Sequence, residues 1–171
     1  MSSLLDNEIK EDIHLKSYLT FELDREIFGV EVQKVVEIHE LTHITAIPNA
    51  PAHMAGLLNL RGKILPLIDT KVKFGLPPIV PTVDTCIVVI EMVLEGESML
   101  VGTLVDSVQE VLMVAEEEIQ SSPSIDAKFD LEYITGMFKQ RDQFILLLNL
   151  EKVFALEDQT NYVINETAKR S

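Results

Sequence analysis

The sequence predicts a mainly β protein whose short strands close into barrels or a sandwich, and three observations carry that prediction. Of its 171 residues 47% are hydrophobic and only 6% aromatic, with no Trp, so Val, Ile and Leu must build the core, and they suit a pleated, half-buried surface. At least eight short apolar runs recur at close spacing between turn residues, a pattern that argues against alternating strands and helices. A chain of this length fits one compact domain or two small subdomains and buries roughly 70% of the surface exposed when unfolded.

Tyr18–Leu23 and Ile27–Val30 read as a hairpin about Asp24-Arg25. Val32, Val35, Val36 and Leu41 fit one side of a short helix starting near Val32, against the β-branched character of the segment. Pro48 and Pro51 interrupt regular structure. Gly56–Leu60 and Ile64–Ile68 form a second hairpin about Arg61-Gly62-Lys63, with Pro66 expected at a sheet edge or bulge. Cys86–Leu94 and Met99–Val105 flank a third, with Glu95-Gly96-Glu97-Ser98 as its loop. Val108, Val111 and Val114 continue the β character up to the acidic Glu116-Glu117-Glu118. Tyr133–Phe138 and Phe144–Leu150 are further strands, and Glu151–Leu156 a closing helix. Residues 1–16 and 158–171 read as polar tails around a domain spanning 17–157.

Fourteen basic against twenty-eight acidic side chains give a formal charge of −14, which repels phosphate backbones and anionic lipid and argues against nucleic acid as a partner. The single Cys86 opens an apolar run and suits burial rather than a disulfide. The first residues lack the pattern of a signal peptide. The uncharged stretch Leu41–Leu60 carries two prolines and Gly56, so it makes a poor membrane span. A cytoplasmic protein without membrane insertion is expected.

His39-Glu40-Leu41-Thr42-His43 satisfies the His-Glu-x-x-His pattern, in which two imidazoles one helical turn apart hold zinc and the glutamate activates water. It requires a helix across all five residues, yet Thr42, Ile44 and Thr45 lead directly to Pro48. His53, the available third ligand, lies between Pro51 and Gly56. A zinc hydrolase through His39, Glu40 and His43 is the less favoured reading. The sequence shows no phosphate loop, nucleophile elbow or Cys pair, so no catalytic residue, metal or cofactor is expected.

Asn59-Leu60-Arg61-Gly62 followed by Lys63-Ile64-Leu65-Pro66-Leu67-Ile68-Asp69 is similar to the hallmark of the CheW-type domain of chemotaxis coupling proteins and of the regulatory domain of the chemotaxis kinase. Further pieces follow in order: Phe28-Gly29-Val30, Val35–Ile38, Val105–Val108, Tyr133–Gly136 and Leu146–Val153. The resemblance implies two SH3-like five-stranded β-barrel subdomains packed together, with short helices and no catalysis. It implies an adaptor that joins the cytoplasmic tip of chemoreceptors to the regulatory domain of a CheA-type histidine kinase, recruited to membrane-associated receptor arrays. A related scaffold in another kinase pathway, such as surface motility, stays open.

Carried over by the resemblance, Arg61 is the coupling arginine, Val35, Glu37 and Ile38 lie near a receptor-contacting groove, and Gly102 and Val108 lie on groove-lining strands. Independently of it, Arg61 stands at a hairpin tip where Gly or Asn would be preferred, leaving a guanidinium to meet acidic or carbonyl groups. Lys63, Lys71 and Lys73 add to a locally basic stretch. The Glu95–Ser98 loop is longer and more acidic than the pattern of compact members.

Overall fold

A computed structural model describes residues 14–120 and 133–154. Among these residues ten strands form two five-stranded sheets. The strands are β1 (Leu15–Leu23), β2 (Glu26–Glu31), β3 (Val35–Glu40), β4 (Met54–Leu60), β5 (Lys63–Asp69), β6 (Cys86–Leu94), β7 (Glu97–Val105), β8 (Ser107–Ala115), β9 (Ile134–Gln140) and β10 (Gln143–Leu148), with α1 (Thr70–Lys73) after β5 and α2 (Leu150–Val153) after β10. One sheet runs β8-β1-β2-β10-β9 and the other β3-β6-β7-β5-β4.

The two sheets repeat one plan. A hairpin (β1-β2 or β6-β7) is followed by a strand that crosses to the opposite sheet (β3 or β8), and the next hairpin (β4-β5 or β9-β10) stays in that opposite sheet and lays its latter strand parallel to the other hairpin there, β5 beside β7 and β10 beside β2. Each sheet closes through one antiparallel bridge. Thr45 exchanges N–H···O bonds of 3.0 and 2.8 Å with Leu57, and Gln120 exchanges bonds of 2.8 and 2.9 Å with Met137. Both closures depend on glycine. A Cβ on Gly56 would lie 2.5 Å from the Thr45 carbonyl oxygen, and one on Gly136 would lie 3.0 Å from that of Gln120. The closed sheets are the small barrels implied by the resemblance, and closure leaves few ladder groups unpaired.

Because a strand of each unit crosses over, the barrels share a main core, beside which Tyr18, Val114, Phe138, Ile145 and Leu147 form a smaller cluster within the first sheet. Leu19, Phe21 and Phe28 of the first sheet pack in the same buried cluster as Leu58, Leu67, Ile87 and Val101 of the second. Phe28 faces Phe74 at 5.5 Å between ring centroids, and Phe74 faces Tyr133 at 5.5 Å, so the residue that follows α1 is gripped by the opposite barrel.

Three local expectations change. The helix expected from Val32 is a single 3-10 turn, Val32–Lys34, followed by strand β3, because the β-branched Val35, Val36 and Ile38 favour extended backbone. Pro66 lies in an interior strand between β4 and β7, so the edge expected for it fails, while the β4–β5 ladder is irregular next to it, between Met54 and Gly56. Its partner Leu57 directs both backbone groups to Thr45, and pairing with β7 is registered only from Leu67, so neither side asks Pro66 for a ladder N–H. The Glu95–Ser98 loop is a two-residue turn at Glu95 and Gly96, both at positive φ, and the extra length lies in nine-residue strands. The closing helix ends at Val153, and Ala155 and Leu156 lie outside the described residues.

Gly56→Ala should lower unfolding free energy in denaturant titration by about 3 kcal/mol, since the new methyl meets the Thr45 carbonyl oxygen as well as Ile44 Cγ2, both at 2.5 Å, and the backbone contact cannot yield by a rotamer change. Gly136→Ala, with 3.0 Å contacts, should cost less. Negligible losses at both positions would mean that neither bridge holds its barrel closed.

Candidate interaction site

Barrel closure sets β3 beside the β4–β5 turn. Along β3, Val35, Glu37 and His39 are half-buried on one face, while Val36, Ile38 and Glu40 are exposed on the other. The turn places Arg61 and Gly62 at φ 52° and 86°, the geometry of a two-residue hairpin that prefers Asn-Gly or Gly-Gly. Asn59 Oδ1 accepts from the Gly62 N–H at 3.1 Å and braces the turn. Arg61 therefore occupies a left-handed position that costs a side-chain-bearing residue about 1 kcal/mol, and its side chain is 73% exposed.

That guanidinium reaches back to β3, where Arg61 Nη2 donates to Glu37 Oε1. The other carboxylate oxygen, Glu37 Oε2, lies 2.9 Å from His39 Nε2, a close electrostatic approach rather than a well-aligned hydrogen bond. Glu37 is thus shared between a cation 24 residues away and an imidazole two positions along its own strand. The hydrogen bond from Arg61 holds the Glu37 carboxyl below the usual glutamate range, against a smaller opposing effect of desolvation and with help from the charges of Arg61 and His39.

Two of the residues singled out in the sequence, Arg61 and Glu37, are brought into direct contact. Ile38, 43% exposed, stands beside Val36, 49% exposed, as an apolar strip on the outer face of the same strand. Val35 and Val108 are half-buried and pack against the shared core. Gly102 is buried in β7 opposite Leu67, where a Cβ would meet Leu67 Cδ1 at 3.0 Å and Ile87 Cγ2 at 3.3 Å. Lys71 turns away toward Asp24 of the first hairpin, at 4.0 Å. Sequence reasoning missed His39 as a neighbour of Glu37. The spacing of two on a strand would have placed both on one face, had the segment not been read as helical.

That reading also underlay the zinc hypothesis. His39 and Glu40 are successive strand residues on opposite faces, and His43 lies beyond the strand, so the juxtaposition of imidazoles one helical turn apart does not form. Among the described residues no group of three or more His, Cys, Asp or Glu is placed to hold a metal, and none of the described helices is long and apolar enough to cross a membrane.

The family model for the CheW-like domain matches residues 17–158. The chain is 33% identical over 144 residues to the chemotaxis protein CheW of Rhizobium meliloti (strain 1021), covering 84% of this chain and 90% of the relative. It is 31% identical over 154 residues to the chemotaxis protein CheW of Klebsiella aerogenes, covering 90% and 89%. Among solved structures it resembles the scaffolding protein TtCheW from Thermoanaerobacter tengcongensis, with a TM-score of 0.75 and 31% identity, covering 85% of this chain and 97% of that one.

Arg61→Asn installs Asn-Gly in a turn that favours it, so the melting temperature should hold or rise, and a fall of more than about 4 °C would make Arg61 structural. The same variant should move the Glu37 carboxyl back up toward the ordinary range in an NMR titration. A depressed carboxyl favours the folded state above the ordinary glutamate pKa and loses that contribution as pH falls through its folded value. Acidification should therefore release Arg61 from Glu37 before it disturbs the core.

Proposed function

The chain belongs to the CheW-like domain family, and from that membership we propose that it is a non-enzymatic adaptor coupling the cytoplasmic tips of chemoreceptors to the regulatory domain of a CheA-type histidine kinase. It works in the cytoplasm and is recruited to receptor arrays at the membrane. The observation that carries this reading is the Arg61–Glu37 pair: an exposed guanidinium held on a turn that disfavours it, preoriented by a carboxylate across the barrel closure. Such a group is kept in place for a partner rather than for the fold.

In this reading Glu37 and the partner compete for one cation. A partner presenting a carboxylate or carbonyl group draws Arg61 from Glu37, and the differential affinity of receptor signalling states for the freed group biases the kinase. Ile38, with Val36 beside it, supplies apolar contact next to the charge. Val35, Val108 and Gly102 act from beneath, by fixing how β3 and β8 lie on the shared core. A substituent on Gly102 would shift Leu67 and Ile87 and so alter coupling without touching a partner.

The test is co-sedimentation of the chain with receptor cytoplasmic fragments and kinase, with autophosphorylation as the output. Wild type should form a ternary complex that changes kinase output. Arg61→Asn should weaken assembly by about 1 kcal/mol or more while folding normally. A wild-type chain that binds neither protein overturns the adaptor reading, and an Arg61→Asn variant that assembles normally overturns the role of Arg61.

A further inference from the structure

Glu37 carries more than its pair with Arg61. Its second carboxylate oxygen, Oε2, lies 2.9 Å from His39 Nε2, and that nitrogen is sealed from solvent without a well-aligned hydrogen-bond partner. A bare ring nitrogen at this distance would set two lone pairs against each other. Nε2 therefore carries a proton, and Nδ1 remains to take a second.

The surroundings single out these three groups. Opposite Glu37 and His39 on β6 stand Val89 and Ile87, both buried and uncharged. Glu40, paired with Cys86, lies on the other face of β3. Among the described residues the ion pairs of Glu37 are with Arg61, brought by the β4–β5 turn, and with His39. The same two cations act on its carboxylate.

These cations are not equivalent. Arg61 is 73% exposed on a turn that a partner can reach, whereas His39 is 32% exposed and fixed on the strand two residues from Glu37. A guanidinium keeps its charge at every physiological pH, while imidazole is the side chain that gains or loses one near neutrality. When a partner draws Arg61 away, the half-buried carboxylate loses its permanent cation. The ring is also relieved of a neighbouring positive charge. Both changes favour the imidazolium.

We propose that His39 is a positioning residue of the interaction site, which takes over the Glu37 carboxylate when a partner removes Arg61, so that engagement of Arg61 is coupled to uptake of a proton by His39. A neutral ring leaves Glu37 to Arg61, and a protonated ring draws it away. Linkage is reciprocal: whatever binds Arg61 raises the proton occupancy of His39, and mild acid strengthens that binding.

Only the identity of the partner that removes Arg61 rests on the adaptor reading, and two arms of the test keep the two apart. In the free protein, Arg61→Asn stands in for removal of the cation. Followed by NMR, the His39 ring should titrate at higher pH in this variant than in wild type, and the difference should shrink when Glu37→Gln is added. An unchanged His39 titration overturns the proposal. In the second arm, receptor cytoplasmic fragment is titrated calorimetrically in buffers of differing protonation enthalpy. Wild type should take up a proton on binding near neutral pH, and His39→Gln should not. The gain in affinity between about pH 8 and about pH 6 should be at least about threefold larger for wild type than for His39→Gln. Equal gains and equal proton uptake in the two proteins overturn the proposal, and His39→Asn replaces His39→Gln should a melting scan show that variant unfolded. Wild type that binds no receptor fragment removes the adaptor reading, and the NMR arm then decides the exchange alone.

Discussion

Closure of a five-stranded sheet by a single bridge is the constraint on which the rest of this structure depends. An open sheet of this size would leave two edges of unpaired backbone. Here the chain running on from β3 meets β4 at Thr45 and Leu57, and the chain running on from β8 meets β9 at Gln120 and Met137. The approach at each bridge is so close that only a residue without a side chain fits beside it, which is why Gly56 and Gly136 stand next to Leu57 and Met137. Closure curls the sheet until its first strand, β3, lies near the tip of its last hairpin. The Arg61–Glu37 pair is a consequence of that curvature and not of any local sequence preference.

The second organising feature is the exchange of crossing strands. Since β3 and β8 each leave one sheet to complete the other, neither barrel can loosen without disturbing a core that both share. This geometry suits an adaptor, for a contact at β3 or β8 bears on both barrels at once. Gly102 pairs with Val89 of β6, which in turn pairs with Glu37, so its packing bears on the strand that carries Glu37 and Ile38. The Arg61 guanidinium is exposed, whereas the core beneath β3 is buried.

The duplicated plan allows the molecule to be compared with itself. Asp69 and Asn149 occupy matching places, cap matching short helices, and differ in one terminal atom. With a carboxylate the strand end binds its own chain through Ile79. With an amide it faces a crevice. Neither residue looks unusual in isolation, since both are ordinary N-cap residues.

Sequence alone determined the β class, the hairpin positions and the turn at Arg61-Gly62, because alternating apolar runs and glycines at turns are local signals of backbone geometry. It also determined the family, through motif pieces whose order survives in the chain. The segment from Val32 to His43 was misread, since Val32, Val35 and Val36 satisfy a helical spacing while the β-branched backbone preference and pairing with β6 decide for a strand. With that error came the attention given to two histidines that never meet. Only the tertiary structure decided that Glu37 is the partner of Arg61, that Pro66 sits harmlessly in an interior strand, and that Asp69 holds the Ile79 N–H while Asn149 lines a crevice among the described residues. Each depends on which backbones meet across a closed barrel, a long-range fact that no window of neighbouring residues contains.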